Sequence, residues 1–147
     1  MVERKVHQRL NEYLSCYSAT DVSAELAKLA GAKPSADVTQ DRTELALKYL
    51  ALAILQAVAE RASELTIGQC DPKSNACYLV GKKTCNLPLP AGGIIETAQE
   101  ILTRIADLRS QKPTGKIILG LADGEVACDA RLENVAVVLK LPKLERA

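Results

Sequence analysis

Tryptophan and phenylalanine are absent from this chain, and tyrosine occurs only four times. So few rings leave little on which bases could stack, which excludes the usual platform for single-stranded nucleic acid. Histidine occurs once, at His7, so any Ser–His or Cys–His pair would have to use that one ring. A predominance of one charge is missing too: 19 basic and 18 acidic residues are intermixed, for a net charge of +1. That leaves no field to draw the chain to DNA or to anionic lipid. Long apolar runs are also lacking. The most apolar stretch, residues 45–59, contains Lys48 and Tyr49 and falls short of the ~20 residues a bilayer span needs. The opening MVERKVHQRLNEYL is charged and has no apolar core of the secretory kind, which predicts a cytoplasmic protein. Without an export signal, the odd set Cys16, Cys70, Cys77, Cys85 and Cys128 predicts reduced thiols rather than a disulfide framework.

What is present is an aliphatic chain of 147 residues, 48% apolar and 25% charged. That is enough to bury a real core in one domain, with or without a small helical appendage. Val6, Leu10 and Tyr13/Leu14 recur at helical spacing and predict a first helix over residues 3–17. Thr20 as N-cap with Asp21 in the first turn opens a short second helix, which Gly31 closes. Residues 33–36 read as a linker. A long helix follows from about Asp41 to Ala62, apolar around most of its circumference, which places it in the interior or in a subunit contact. The period then changes to two. Strands are predicted over 64–67, 76–80 and 84–87, with a tight turn at Gly81-Lys82-Lys83. A second striped helix spans 94–108, and strands over 116–121, 126–132 and 134–141 complete the chain, the first two joined by a turn at Asp123-Gly124. Helices, three strands, a helix and three strands make an α+β domain with a mostly antiparallel sheet.

The sequence offers little catalytic chemistry. Gly81-Lys82-Lys83-Thr84 has the ending of a phosphate-binding loop but lacks its upstream glycine and its helix. Gly92-Gly93 precedes a helix, where free amides can hold an anion, but reads more simply as an entry turn. His7 falls on a face expected to be exposed, with no marked partner. Cys70, Cys77 and Cys85 form the one cluster that adjacent strands could assemble for zinc. Their spacing is wider than the close pairs of structural zinc sites, so buried or half-buried thiols are the simpler expectation. Arg104, Arg109, Lys112 and Lys116 surround the loop after the last helix, as a solvated loop or as a meeting point for a phosphate or an acidic partner.

Six phrases, in order, carry a family resemblance. They are Ala57-Val58-Ala59-Glu60-Arg61-Ala62-Ser63-Glu64-Leu65-Thr66-Ile67; Tyr78-Leu79-Val80-Gly81; and Pro88-Leu89-Pro90 leading into Ile94 through Leu108. Pro113-Thr114-Gly115-Lys116-Ile117, Asp129-Ala130-Arg131-Leu132 and Val137-Val138-Leu139-Lys140-Leu141 follow. The first is similar to the phrase A-x-x-x-G-A-S-D-I-H-I. Together, residues 42–142 resemble the second N-terminal domain of type II secretion and type IV pilus assembly ATPases, a PAS-like module ahead of the motor core. The departures are plain. Apolar residues stand around 77–81 where that family has nucleotide-facing arginines, its H-G-E loop is missing, and no Walker motif follows.

The resemblance implies a PAS-like α+β domain over residues 39–147, preceded by a helical segment over 1–38. It implies a protein-interaction or regulatory module without ATPase function, not an enzyme and without a cofactor. The partner would be a protein, such as a component of a secretion or pilus motor, or a second copy; neither nucleic acid nor membrane insertion is expected. Because the family's domain packs against neighbouring subunits, Arg104, Arg109, Lys112, Lys116 and Arg131 become the partner- or phosphate-contacting candidates. The alternative is a small-ligand or zinc sensor, with Cys70, Cys77 and Cys85 as the metal candidates.

Overall fold

The computed structural model describes residues 2–17, 21–31, 39–71, 74–87, 94–121, 124–133 and 136–141. Within them run helices α1 (Val2–Tyr17), α2 (Val22–Gly31) and α3 (Thr39–Ala59), then strands β1 (Glu64–Asp71), β2 (Ser74–Val80) and β3 (Lys83–Asn86). Helix α4 (Ile94–Ile105) leads to β4 (Thr114–Leu121), β5 (Gly124–Glu133) and β6 (Ala136–Lys140). The α+β order expected from the sequence is the order observed.

Helix α3 is the hub. Ala46, Leu47 and every residue from Tyr49 to Ile54 are fully buried, because α1, α2 and α4 each pack on a different side of it. Its alanines let these neighbours approach closely, and a helix apolar all round is stable only in such surroundings. Leu10 and Leu14 of α1 and Leu26 of α2 join the same core. On the polar seam between α1 and α3, the Tyr13 hydroxyl donates to Glu44 at 2.6 Å, and Arg9 pairs with the same carboxylate. The Tyr13 ring lies 6.0 Å from both the Arg9 and the Lys48 cation and stacks on Tyr17, a cation–π arrangement. Burial alone would raise the Glu44 carboxyl, but hydrogen bonds from Arg9 and Tyr13 override it and hold the group below its ordinary range.

The helix ends differ in detail from the sequence reading. Asp21, not Thr20, caps α2: its side chain accepts from Ala24 N–H at 3.2 Å, while its carbonyl accepts the first helical bond, from Glu25. Helices α3 and α4 stop three residues before the apolar stripe runs out, at Ala59 and Ile105. Arg61 and Asp107 adopt φ of 60° and 55°. Ala62 and Leu108 then bond back five residues to Ala57 and Thr103, while Arg61 and Asp107 bond to Val58 and Arg104. This is the left-handed cap that glycine usually supplies, here built twice without glycine.

The six strands form one antiparallel sheet in the order β3-β2-β1-β6-β5-β4. Two three-stranded meanders meet where β1 pairs with β6, and α4 carries the chain from one outer edge to the other. Strand β1 runs four residues beyond the expected Ile67, through a register shift between Ile67 and Asp71; φ at Gly68 is 130°. The β2–β3 hairpin turns on Gly81 and Lys82 with φ of 62° at the glycine, as a two-residue loop demands. Leu65, Ile67, Tyr78, Ile117, Leu119, Ala130 and Leu139 face the helices and are buried. The opposite face carries Glu64, Lys116, Asp129 and Lys140.

Candidate functional site

Alternation along each strand decides which side chains meet on the sheet's outer face. Strand register aligns one row across four strands: Lys116 of β4 faces Asp129 of β5, Asp129 faces Lys140 of β6, and Lys140 faces Glu64 of β1. Positive and negative charges alternate along that row. In the next row Thr114 faces Arg131, and Arg131 faces Val138. Arg131 pairs with Glu133 on its own strand and reaches Glu64 at 3.3 Å. Since β6 lies between β5 and β1, this second bridge spans β6 on the face where Val138 is only 4% exposed. The bond from Glu133 leads in holding the guanidinium above its already high range.

These two rows surround a concavity of about 380 Å³ lined by Thr114, Gly115, Lys116, Asp129, Ala130, Arg131, Val138 and Lys140. Its rim is charged, its floor small and apolar. Among the described residues no ion pair ties Lys116 or Lys140, so both ammonium groups are free to meet an incoming anion, whereas Arg131 is already engaged by two carboxylates. The nearest large exposed hydrophobe is Ile118, 38% exposed on the same face of β4.

The five cationic candidates do not converge on one spot. Lys116 and Arg131 line the concavity. Arg104 lies on α4 and pairs with Glu100, one turn earlier, at 2.7 Å. Arg109 and Lys112 close a tight turn through mutual backbone bonds of 3.0 and 2.9 Å, and Asp107 lies 3.5 and 3.6 Å from their charged ends. Nearness in sequence grouped all four loop cations, but the chain leaves that loop along β4 and carries Lys116 onto the sheet face. Lys140 and Asp129 belong to the site as well. Lys140 was embedded in the closing apolar phrase, where only the alternation of β6 marks it as outward-facing.

His7 was expected on an exposed face and is half-buried instead. Its Nε2 donates to the Ile118 carbonyl at 2.6 Å, which fixes the ring as a structural donor rather than a base paired with a nucleophile. The cysteines also depart from the sequence reading. Cys77 is disulfide-bonded, not the reduced thiol that the odd count of cysteines led one to expect. A disulfide sulfur is no thiolate ligand, and the register removes Cys85 from it further. Cys85 faces Tyr78 across the β2–β3 pair, hence lies on the opposite side of the sheet from Cys77. The Cys70 side chain lies outside the described residues, as do Gly92 and Gly93. Cys128 is a buried free thiol pushed up to about 11, first by burial and then by Asp129. Among the described residues no group of three metal-ligating side chains comes together, and no helix is long and apolar enough to cross a membrane.

No protein-family model, curated protein or solved structure matches the chain.

Proposed function

We propose that this chain is a non-catalytic protein-interaction module, and that the outer sheet face around Lys116, Asp129, Arg131 and Lys140 is where it docks. The observation that carries the reading is the asymmetry of the sheet. Helices pack on one face, with α3 and α4 against the strands and α2 behind α3, while the other face presents a charged row and a concavity that no described helix covers. An antiparallel sheet can leave one face to water, but the usual result is an even polar surface rather than a hollow of about 380 Å³ flanked by two lysines that no ion pair ties among the described residues. Three side chains that might have served as nucleophile or base have other occupations: His7 donates to a strand, Cys77 lies in a disulfide, and Cys128 is a buried thiol.

The partner is a component of a secretion or pilus motor, or of its envelope machinery. What supports this part is the order of the six phrases, and one conformational detail of the first. Its glycine position falls at Arg61, which holds φ of 60°, the geometry for which glycine is the ordinary choice. Lys116 and Arg131, both inside those phrases, line the docking hollow; Arg104, Arg109 and Lys112 would form a second, separate contact at the end of α4. The test is affinity capture from the native cell with the parent chain and with Lys116→Glu/Lys140→Glu. The reading expects a motor or envelope-machinery component with the parent and its loss with the charge reversal. Recovery of no such component, or equal recovery with both, contradicts it.

The hollow also favours the sensing alternative in one form, a small anionic ligand held between Lys116 and Lys140. Titration with inorganic phosphate, read by the two lysines' NMR shifts, separates the two: saturable binding points to a ligand site, and none leaves the protein partner.

A further inference from the structure

The two outer strands of the sheet are guarded in different ways. An edge strand presents unpaired N–H and C=O groups that invite pairing with another chain, and proteins blunt it by shortness, by charge or by a cover. Strand β3 uses the first two: it is four residues long, three of them exposed, and starts at Lys83 beside Lys82. Strand β4 has neither. It is eight residues long, TGKIILGL, with Lys116 its one charge. Its odd-numbered residues bond to β5, as Pro113 does to Leu132 just before the strand begins, so Thr114, Lys116, Ile118 and Gly120 turn their backbone groups outward.

Helix α1 meets that outward side. The Asn11 carboxamide accepts from Gly120 N–H at 2.8 Å and donates to the Ile118 carbonyl at 3.3 Å, and His7 donates to the same carbonyl at 2.6 Å. One donor and one acceptor set against residues two apart is what a neighbouring strand would supply. We propose that Asn11 and His7 act as a surrogate strand, with which α1 seals the β4 edge against the β4 edge of a second copy of this chain. The second copy is the occupant because β4 suits itself. In antiparallel self-pairing centred on Ile118, the one large hydrophobe exposed among the described residues meets its counterpart, and Lys116 falls opposite Gly120 rather than opposite another lysine. Leu10 and Leu14, fully buried beneath the same helix, keep the seal shut. The pairing groups are the backbone N–H and C=O of the β4 edge rather than the side chains of the outer face, and the inference does not rest on the docking proposal.

Two variants test it. His7→Leu/Asn11→Leu removes the polar contacts and leaves Leu10 and Leu14 in place; the Gly120 amide then exchanges with solvent at least tenfold faster. Adding Leu14→Glu undocks α1, and the chain sediments as a dimer at concentrations where the parent shows no such association. Gly120→Pro, which deletes the outward N–H and spares the bonds to β5, returns that variant to the parent's sedimentation. Unchanged exchange at Gly120 in the first variant overturns the seal. An undocked chain that sediments like the parent, or whose association survives Gly120→Pro, overturns the self-pairing.

Discussion

Gly115 of β4 lies tight against the cap that follows α4, and it supplies a measurable test of the packing. A Cβ built there would lie 2.3 Å from the Ala106 carbonyl oxygen and 3.3 Å from Cδ2 of Leu108. The oxygen is backbone at the left-handed end of α4, so no side-chain rotation can relieve the clash; strand and helix end must separate by about 1 Å to restore van der Waals distance. Overpacking of this kind costs roughly 1–3 kcal/mol, and each kcal/mol lowers Tm by about 2–4 °C in a domain near this size. Gly115→Ala is therefore expected to melt about 2–12 °C below the parent. Two glycines calibrate the effect. At Gly120 the nearest atom to an added Cβ is Asn11 Oδ1 at 3.8 Å, an ordinary contact, so Gly120→Ala shifts stability by no more than about 0.5 kcal/mol. At Gly81 nothing lies within 4 Å, but φ is +62°, so Gly81→Ala loses about 1 kcal/mol to backbone strain alone. Urea unfolding followed by circular dichroism gives all three values. If Gly115→Ala unfolds at the parent's midpoint, or if Gly120→Ala suffers as much as Gly115→Ala, the close approach of β4 to α4 is wrong.

Other consequences follow from the same physics. Arg61→Gly relieves a left-handed non-glycine cap and should raise unfolding free energy by about 0.5–1 kcal/mol, read as a higher urea midpoint. Glu44 is held below its ordinary range, so its contribution is fully present above the unfolded-state value and is lost as pH falls through the lower folded value. Below about pH 4 the parent should lose stability more steeply than Glu44→Gln, measured as unfolding midpoint against pH; parallel curves would contradict the Arg9–Glu44–Tyr13 contact. With five cysteines in the chain and three of them free, alkylation in denaturant should label three thiols without reductant and five with it, counted by mass spectrometry. In the native protein, Cys128 should resist alkylation at pH 8, because burial keeps it a thiol and hides it from the reagent.

The fold was legible wherever a period persisted. The all-round apolar stretch of α3 and the stripe of α4 located both helices, and the alternation around Leu65, Tyr78, Ile117 and Leu139 located the strands. The boundaries blurred where periodicity alone is blind. Ala62 and Leu108 continue the apolar stripe of their helices but belong to caps, because a left-handed residue turns the chain one step earlier without the glycine that would have announced it. Strand β1 looked finished at Ile67 because the register shifts between Ile67 and Asp71 while the pairing continues. The candidate site was half-legible. Lys116 and Arg131 were recognisable, but their union with Asp129 and Lys140 depends on the register of the β4–β5 and β5–β6 pairs, which the alternation within a single strand does not give. The packing of α1 took His7 from a helix face to the β4 edge, and the disulfide at Cys77 is something that the odd count of cysteines did not reveal.

Photo-crosslinking in the native cell tests the docking face most directly. A photoreactive residue is placed in turn at Lys116, at Lys140 and, on the helical side, at Glu96 of α4. The account expects a common adduct containing a motor or envelope-machinery component from Lys116 and Lys140 and none from Glu96. Adducts from Glu96 alone, or none from either lysine, would contradict it.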